Sequence, residues 1–128
     1  MLTALQIFEL ASALIYETTG DDADSAKFSI MFLNIHLQEC LKVENSIRRA
    51  NEDTELTEAP WITTLNDNVD YSADLTRIAL PYIMASHFYT EAINLAMAQY
   101  FKDEYDRARS EAAVYKEEDI TDAYATEA

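Results

Sequence analysis

Glycine, proline and cysteine are nearly missing from this chain. One Gly and two Pro stand among its 128 residues. That is too little turn chemistry for a β-sandwich or barrel, whose strands need a Gly- or Pro-rich turn every few residues. A single glycine also excludes a Gly-rich phosphate loop. The one cysteine, Cys40, excludes an intrachain disulfide framework and a cysteine-built zinc cage, and is compatible with a reducing compartment. Basic side chains are scarce as well. Lys plus Arg number 9 against 24 Asp plus Glu, a formal charge of −15. Nucleic-acid grooves and anionic membrane surfaces both call for clustered cations, so neither is expected as a partner. The longest apolar run, Ile78 to Ala85, falls far short of the roughly 20 residues that span a bilayer. The segment Met1 to Glu9 has no basic region, so no signal peptide is expected.

What remains is a chain able to fold. Hydrophobic residues make up 49% and aromatics 11%, enough for a core, and the length fits one domain. The patterning is helical. Leu5, Phe8, Ala11, Ser12, Ile15 and Tyr16 share one face of a first helix from about Thr3, its N-cap, to Thr18, with Gly20 as a left-handed C-cap. Asp21, Asp22 and Asp24 suit the start of a second helix, which should run to about Ala50. One stripe of it holds Ala26, Ile30, Leu33, Leu37, Cys40, Leu41, Glu44 and Ile47. A second holds Phe28, Met31, Phe32 and Ile35, so the first half should be buried on several sides. Arg48 and Arg49 fall in its last turn, where cations are favoured.

Residues 51–58 form a polar, acidic loop. Residues 59–71 are the one β-like stretch, because Ile62, Thr63 and Thr64 favour an extended chain and Pro60 extends the residue before it. A short arm or hairpin is expected there. Ser72 or Asp70 should cap a third helix with the stripe Leu75, Ile78, Ala79, Tyr82, Ser86 and Tyr89, kinked at Pro81. Thr90 to Asn94 should bend or break it, and the pattern resumes through Ile93, Met97, Tyr100, Phe101 and Tyr105 to about Tyr115. The expectation is an all-α bundle of about four helices with one extended arm between helices 2 and 3. It occupies residues 1–115, followed by an acidic tail over 116–128 that carries Ile120 and Tyr124 at i and i+4.

Catalytic constellations are weak. The carboxylates fall mostly on polar faces or in loops, not in a dry cleft. His36, Glu39 and Cys40 share a helix at i, i+3 and i+4, and His87 and Glu91 are i and i+4. A helical di-iron bundle instead repeats Glu-x-x-His on two helices. No cofactor, no metal site and no enzymatic activity are expected. Aromatics are more telling. Tyr16, Tyr82, Tyr89 and Tyr100 fit helix stripes and read as core. Trp61 and Tyr71 flank the extended segment, where they serve either as interface anchors or, for Trp61, as a plug for the end of the bundle.

Several segments in order resemble a known family. Ala79-Leu80-Pro81-Tyr82-Ile83-Met84-Ala85-Ser86-His87-Phe88-Tyr89 is similar to the LPY-x-x-A-x-x-L helix of small head–tail connector proteins of tailed bacteriophages, also called head-completion or neck adaptor proteins. Gln99 to Ala108 resembles that family's Q-x-F-x-x-E-Y-x-x-A motif. Leu33 to Cys40 and Glu44 to Arg48 resemble its LN-x-x-L-x-E helix and the helix end after it. Pro60 to Tyr71 resembles its extended P-x-I-T-x-L-x-D-x-I-x-Y linker.

The resemblance covers roughly residues 2–113. It implies a non-enzymatic virion protein, assembled in the host cytoplasm into a homo-oligomeric ring between the portal and the tail or neck proteins. The ring would follow the portal's twelve-fold symmetry as a dodecamer. Packaged DNA would pass through without specific binding, and no membrane is involved. Trp61, Ile62, Tyr71, Arg48, Arg49, Ile120 and Tyr124 are the candidate subunit or portal contacts. The alternative is an acidic DNA-mimic inhibitor of a DNA-binding enzyme, which would need a continuous stripe of carboxylates. A small metal-binding bundle is a third reading, with the weakest support in the residues.

Overall fold

The computed structural model describes residues 1–15 and 23–113, with the backbone alone over 23–28. In order along the chain come β1 (Leu2–Thr3), α1 (Ala4–Ile15), α2 (Ala23–Glu39), α3 (Leu41–Ala50), β2 (Asn68–Val69), a π-helical segment (Asp74–Ala79), α4 (Leu80–Glu91) and α5 (Leu95–Ala112). The architecture is the all-α bundle that the patterning predicts, with a minimal sheet. Gly20, Asp21, Asp22, Tyr16, Ile120 and Tyr124, and the tail over 116–128, lie outside the described residues.

The N-terminus of α1 is closed by two devices. Thr3 Oγ1 accepts from the Gln6 amide while Gln6 Oε1 accepts from the Thr3 amide, a reciprocal capping box. The free amides of Ala4 and Leu5 donate to the carbonyls of Asp67 and Leu65. The extended arm therefore does not fold back on itself as a hairpin. Its residues Asn68 and Val69 pair antiparallel with Thr3 and Leu2. Backbone donors at a helix start need acceptors, and the arm supplies them.

Helix α4 lies at the centre, against α5, α1, α2 and the π-helical segment. Leu80, Pro81, Ile83, Met84, Ala85 and Ser86 are all buried. Pro81 does not stop the helix, since the π-helical segment runs directly into α4. The proline has no amide to give to the carbonyl four residues back, and its ring crowds that carbonyl. The preceding turn widens, so that the Leu80 amide reaches the Leu75 carbonyl, five residues back. Widening also shifts the register of the expected stripe. Leu75 and Ala79 are fully buried, whereas Ile78 is turned outward.

Three further expectations need correction. The second helix does not run unbroken to Ala50 but bends at Cys40 into α2 and α3. Tyr71 Oη donates to the carbonyl of Leu37 at 2.5 Å, the acceptor a continuing helix would offer to Leu41. The α2 stripe of Met31, Phe32 and Ile35 is not buried. Met31 and Ile35 are more than half exposed, because α2 turns only its other face, through Leu33 and Leu37, to the core. Tyr100 is also exposed, its ring meeting Phe101 edge-on, and Tyr105 takes the core position expected for it.

Candidate functional site

The segment between α3 and the π-helical turn has almost no regular structure of its own, yet it is pinned at every few residues. Two helix asparagines each grip one residue of it by both backbone groups. Asn45 Nδ2 donates to the Leu56 carbonyl at 2.9 Å while its Oδ1 accepts from the Leu56 amide at 2.7 Å. Asn34 does the same to Ile62, with both bonds at 2.8 Å. An asparagine side chain carries the same donor and acceptor as a peptide group, so it substitutes for a neighbouring strand. Asp67 then closes the turn, accepting from the amides and hydroxyls of both Thr63 and Thr64. Those four donors hold its carboxyl down to about 2.

The far end of the segment is fastened by Glu44, which is 1% exposed. Its carboxylate accepts from the Ser72 amide at 2.6 Å, the Ser72 hydroxyl at 3.1 Å and Arg48 Nε at 2.7 Å. Arg48 extends the network to the carbonyls of Thr54 and Asp70.

This scaffold separates the expected contact residues. Trp61 is 69% exposed, so it does not plug the bundle. Ile62, its neighbour, is buried in the core, as is Tyr71. Arg48 is an internal tie between α3 and the segment, and Arg49 is exposed. Only Trp61 and Arg49 among the described candidates present themselves to a partner.

A second cluster joins α2, α4 and α5. Glu39 accepts from His36 Nδ1. It also accepts from Tyr105 Oη at 2.9 Å. His36 Nε2 faces His87 Nε2 at 2.8 Å, and Phe32 stacks flat on the His87 ring with centroids 4.1 Å apart. Arg109 lies over the Tyr105 ring, and Cys40 Sγ touches the Tyr105 hydroxyl. With its Nδ1–H given to Glu39, a neutral His36 presents a bare Nε2 that accepts from His87 Nε2–H. Burial first, and then electrostatic repulsion from the neighbouring His36 ring, lowers the His87 pKa to about 4. Burial raises the Glu39 pKa, but hydrogen bonds from His36 and Tyr105 outweigh it and leave the carboxyl below its usual range. Burial pushes the Cys40 thiol up to about 11. Among the described residues no group of three or more His, Cys, Asp or Glu is arranged to hold a metal. The cluster is a part-buried, hydrogen-bonded tie between helices.

Helical spacing placed His36 beside Glu39 and left His87 apart from both. The pairing of the two histidines comes only from the packing of α4 on α2. The exposed apolar residues on α2 and in the α4–α5 turn were also missed. Of these, Ile93 at 83% is the most exposed. A usable signal was present there: a β-branched residue where a helix break calls for Gly or Asn. Compared with protein families, curated proteins and solved structures, the chain matches none.

Proposed function

We infer that this protein is a non-enzymatic structural component of a tailed-bacteriophage virion. It is an adaptor that assembles as a ring between portal and tail, extends the DNA channel and retains the packaged DNA. The observation that carries this reading is Trp61: the chain's one tryptophan, 69% exposed on a segment fixed from both sides by Asn34 and Asn45. A large aromatic held in place before binding gives up little entropy when a protein partner covers it, which is what a contact anchor needs. The order of the family-like segments supports the same reading, and so does charge. A lumen carrying carboxylates repels DNA phosphates, so the duplex slides instead of sticking.

Quantitative mass spectrometry of purified virus particles tests it. Cyclic assembly on a twelve-fold portal predicts about a dozen copies per particle. Absence from the particle, together with a stable soluble monomer, would overturn the reading in favour of an acidic DNA mimic.

A further inference from the structure

The turn between α4 and α5 is built in a costly way. The Asn94 amide donates to the Tyr89 carbonyl at 2.8 Å and the Ile93 amide to the Thr90 carbonyl at 3.1 Å, the paired bonds of a left-handed helix stop. The residue that must turn left-handed is Ile93, at φ 58°. Glycine normally takes this place, because a side chain branched at Cβ crowds the following carbonyl. A second helix stop of this kind, after α3, uses Glu52 at φ 60°, whose side chain is unbranched at Cβ and exposed. Ile93 does not recover its strain by burial, since it is 83% exposed, and Leu95 beside it is 66% exposed. Strain kept at an exposed apolar residue points to a use outside the folded chain.

A second exposed apolar surface lies on α2. Met31 and Ile35, 53% and 55% exposed, stand one turn apart with Phe32 at their edge. Both surfaces fall in long uncharged stretches, the longest in the chain after residues 78–90, much of which is buried in the centre of the bundle. Between Lys27 and Glu39 there is no Asp, Glu, Lys or Arg for eleven residues, and between Glu91 and Lys102 there is none for ten. Two copies of a chain carrying −15 repel each other wherever carboxylates meet. Contacts between copies are favoured where both sides are apolar and uncharged.

We propose that the Ile93–Leu95 knob of one copy seats against the α2 face of Met31, Phe32 and Ile35 on the next. The two surfaces differ, so the contact is head-to-tail and propagates, as a ring requires. A self-matching patch would stop at a dimer. The occupant of the α2 face is thus a second copy of this chain. The inference rests on the ring reading for its biological setting, but the contact itself is tested separately.

The test uses full-length protein in sedimentation velocity over a concentration series, with circular dichroism to confirm folding. Both positions are exposed, so I93E and I35E should remain helical. Each alone should weaken self-association at least tenfold, since each buries a carboxylate at the contact. Mixed in equal amounts, they should form a 1:1 complex, because the intact knob of I35E meets the intact face of I93E. I93G should raise the melting temperature by roughly 3–6 °C and still lose association. The proposal is overturned if the mixture gives no complex, if both variants assemble like wild type, or if wild type stays monomeric throughout. A closed wild-type ring untouched by either substitution sinks the contact and keeps the ring. Open chains that obey the mixing result, or absence from virus particles, sink the ring and keep the contact.

Discussion

His36 and His87 meet Nε2 to Nε2 at 2.8 Å across the packing of α2 on α4. Two imidazoles this close can share one proton but resist carrying a charge each. Tyr105 meets the His36 ring edge-on and is itself held by Cys40 and Arg109, and among the described residues Glu39 is the carboxylate bonded to the pair. Burial, with His36 as a neighbour, therefore opposes protonation of His87.

Stability should fall as the pH drops from about 6.5 to about 4. His87 has its folded pKa lowered to about 4 from 6.5, so over that interval the unfolded chain binds the proton and the folded chain does not. Glu39, also lowered, adds to the loss below its ordinary value of 4.5. Above pH 6.5 neither contributes a slope. His87 is only partly buried, so the full shift is discounted to on the order of 1–2 kcal/mol. Urea midpoints at pH 7.0 and 4.5 would show it. In H87F, which keeps a ring to stack on Phe32, the difference should shrink; an unchanged difference would place the acid sensitivity elsewhere.

Cys40 should behave as a buried, unreactive thiol. It is 0% exposed, and burial has raised its pKa to about 11. Thiolate is the reactive form, so alkylation at pH 8 should be at least a hundredfold slower than for a free thiol. Labelling should accelerate only in denaturant, tracking loss of helical signal. Fast labelling of native protein would mean that the α2–α3 bend opens by itself.

The helices were legible because their stripes are local. Leu33 and Leu37, or Ile7 and Ala11, are separated by one turn and face the core as spacing requires. What spacing could not supply was which stripes find a partner. Met31 and Ile35 are as apolar as Leu33, yet α4 covers one side of α2 and leaves the other. The partner of the extended arm was equally hidden. Residues 68–69 pair with residues 2–3, a contact between segments about half the chain apart. Of the candidate contact residues, Trp61 emerged exposed, while Ile62 and Tyr71 were claimed by the core. An i, i+1 pair on an extended chain points to opposite sides, so Trp61 and Ile62 were never able to face one partner together.

Glu44 should be the costliest single polar residue to remove. Its carboxylate joins Arg48, the Ser72 amide and the Ser72 hydroxyl inside the protein. In E44A the Ser72 amide and the Arg48 Nε–H lose their acceptor, which costs about 3–5 kcal/mol for a broken buried pair. E44Q keeps the shape and should recover part of that. Denaturant melts of the two variants decide it, and equal losses would show that volume, not charge, matters at this site.

Asn34 should control the arm more than the bundle. N34A removes both bonds to Ile62 and leaves its amide and carbonyl unpaired in a buried place, worth about 2–4 kcal/mol. N34D keeps the acceptor, loses the donor and brings a charge beside the Ile62 carbonyl, so it should be no better. The reporter is built in, because the one tryptophan is the adjacent residue. Fluorescence anisotropy of Trp61 should fall in N34A well before helical signal is lost. Coincident loss of both would mean that the arm and the helices unfold as one unit.

Trp61 separates folding from assembly. An indole that is 69% exposed contributes little burial to the monomer, so W61A should change unfolding free energy by no more than about 0.5 kcal/mol. A contact anchor behaves oppositely in the complex, where truncating a covered aromatic costs about 2 kcal/mol or more, roughly thirtyfold in affinity. W61A protein should therefore melt like wild type and yet fail to enter virus particles when it replaces the wild-type chain. The neighbouring substitution I62A should do the reverse, lowering stability by about 2–5 kcal/mol through a core cavity. If W61A particles form with full occupancy, the arm is not the docking element, and the proposed adaptor role loses the observation it stands on.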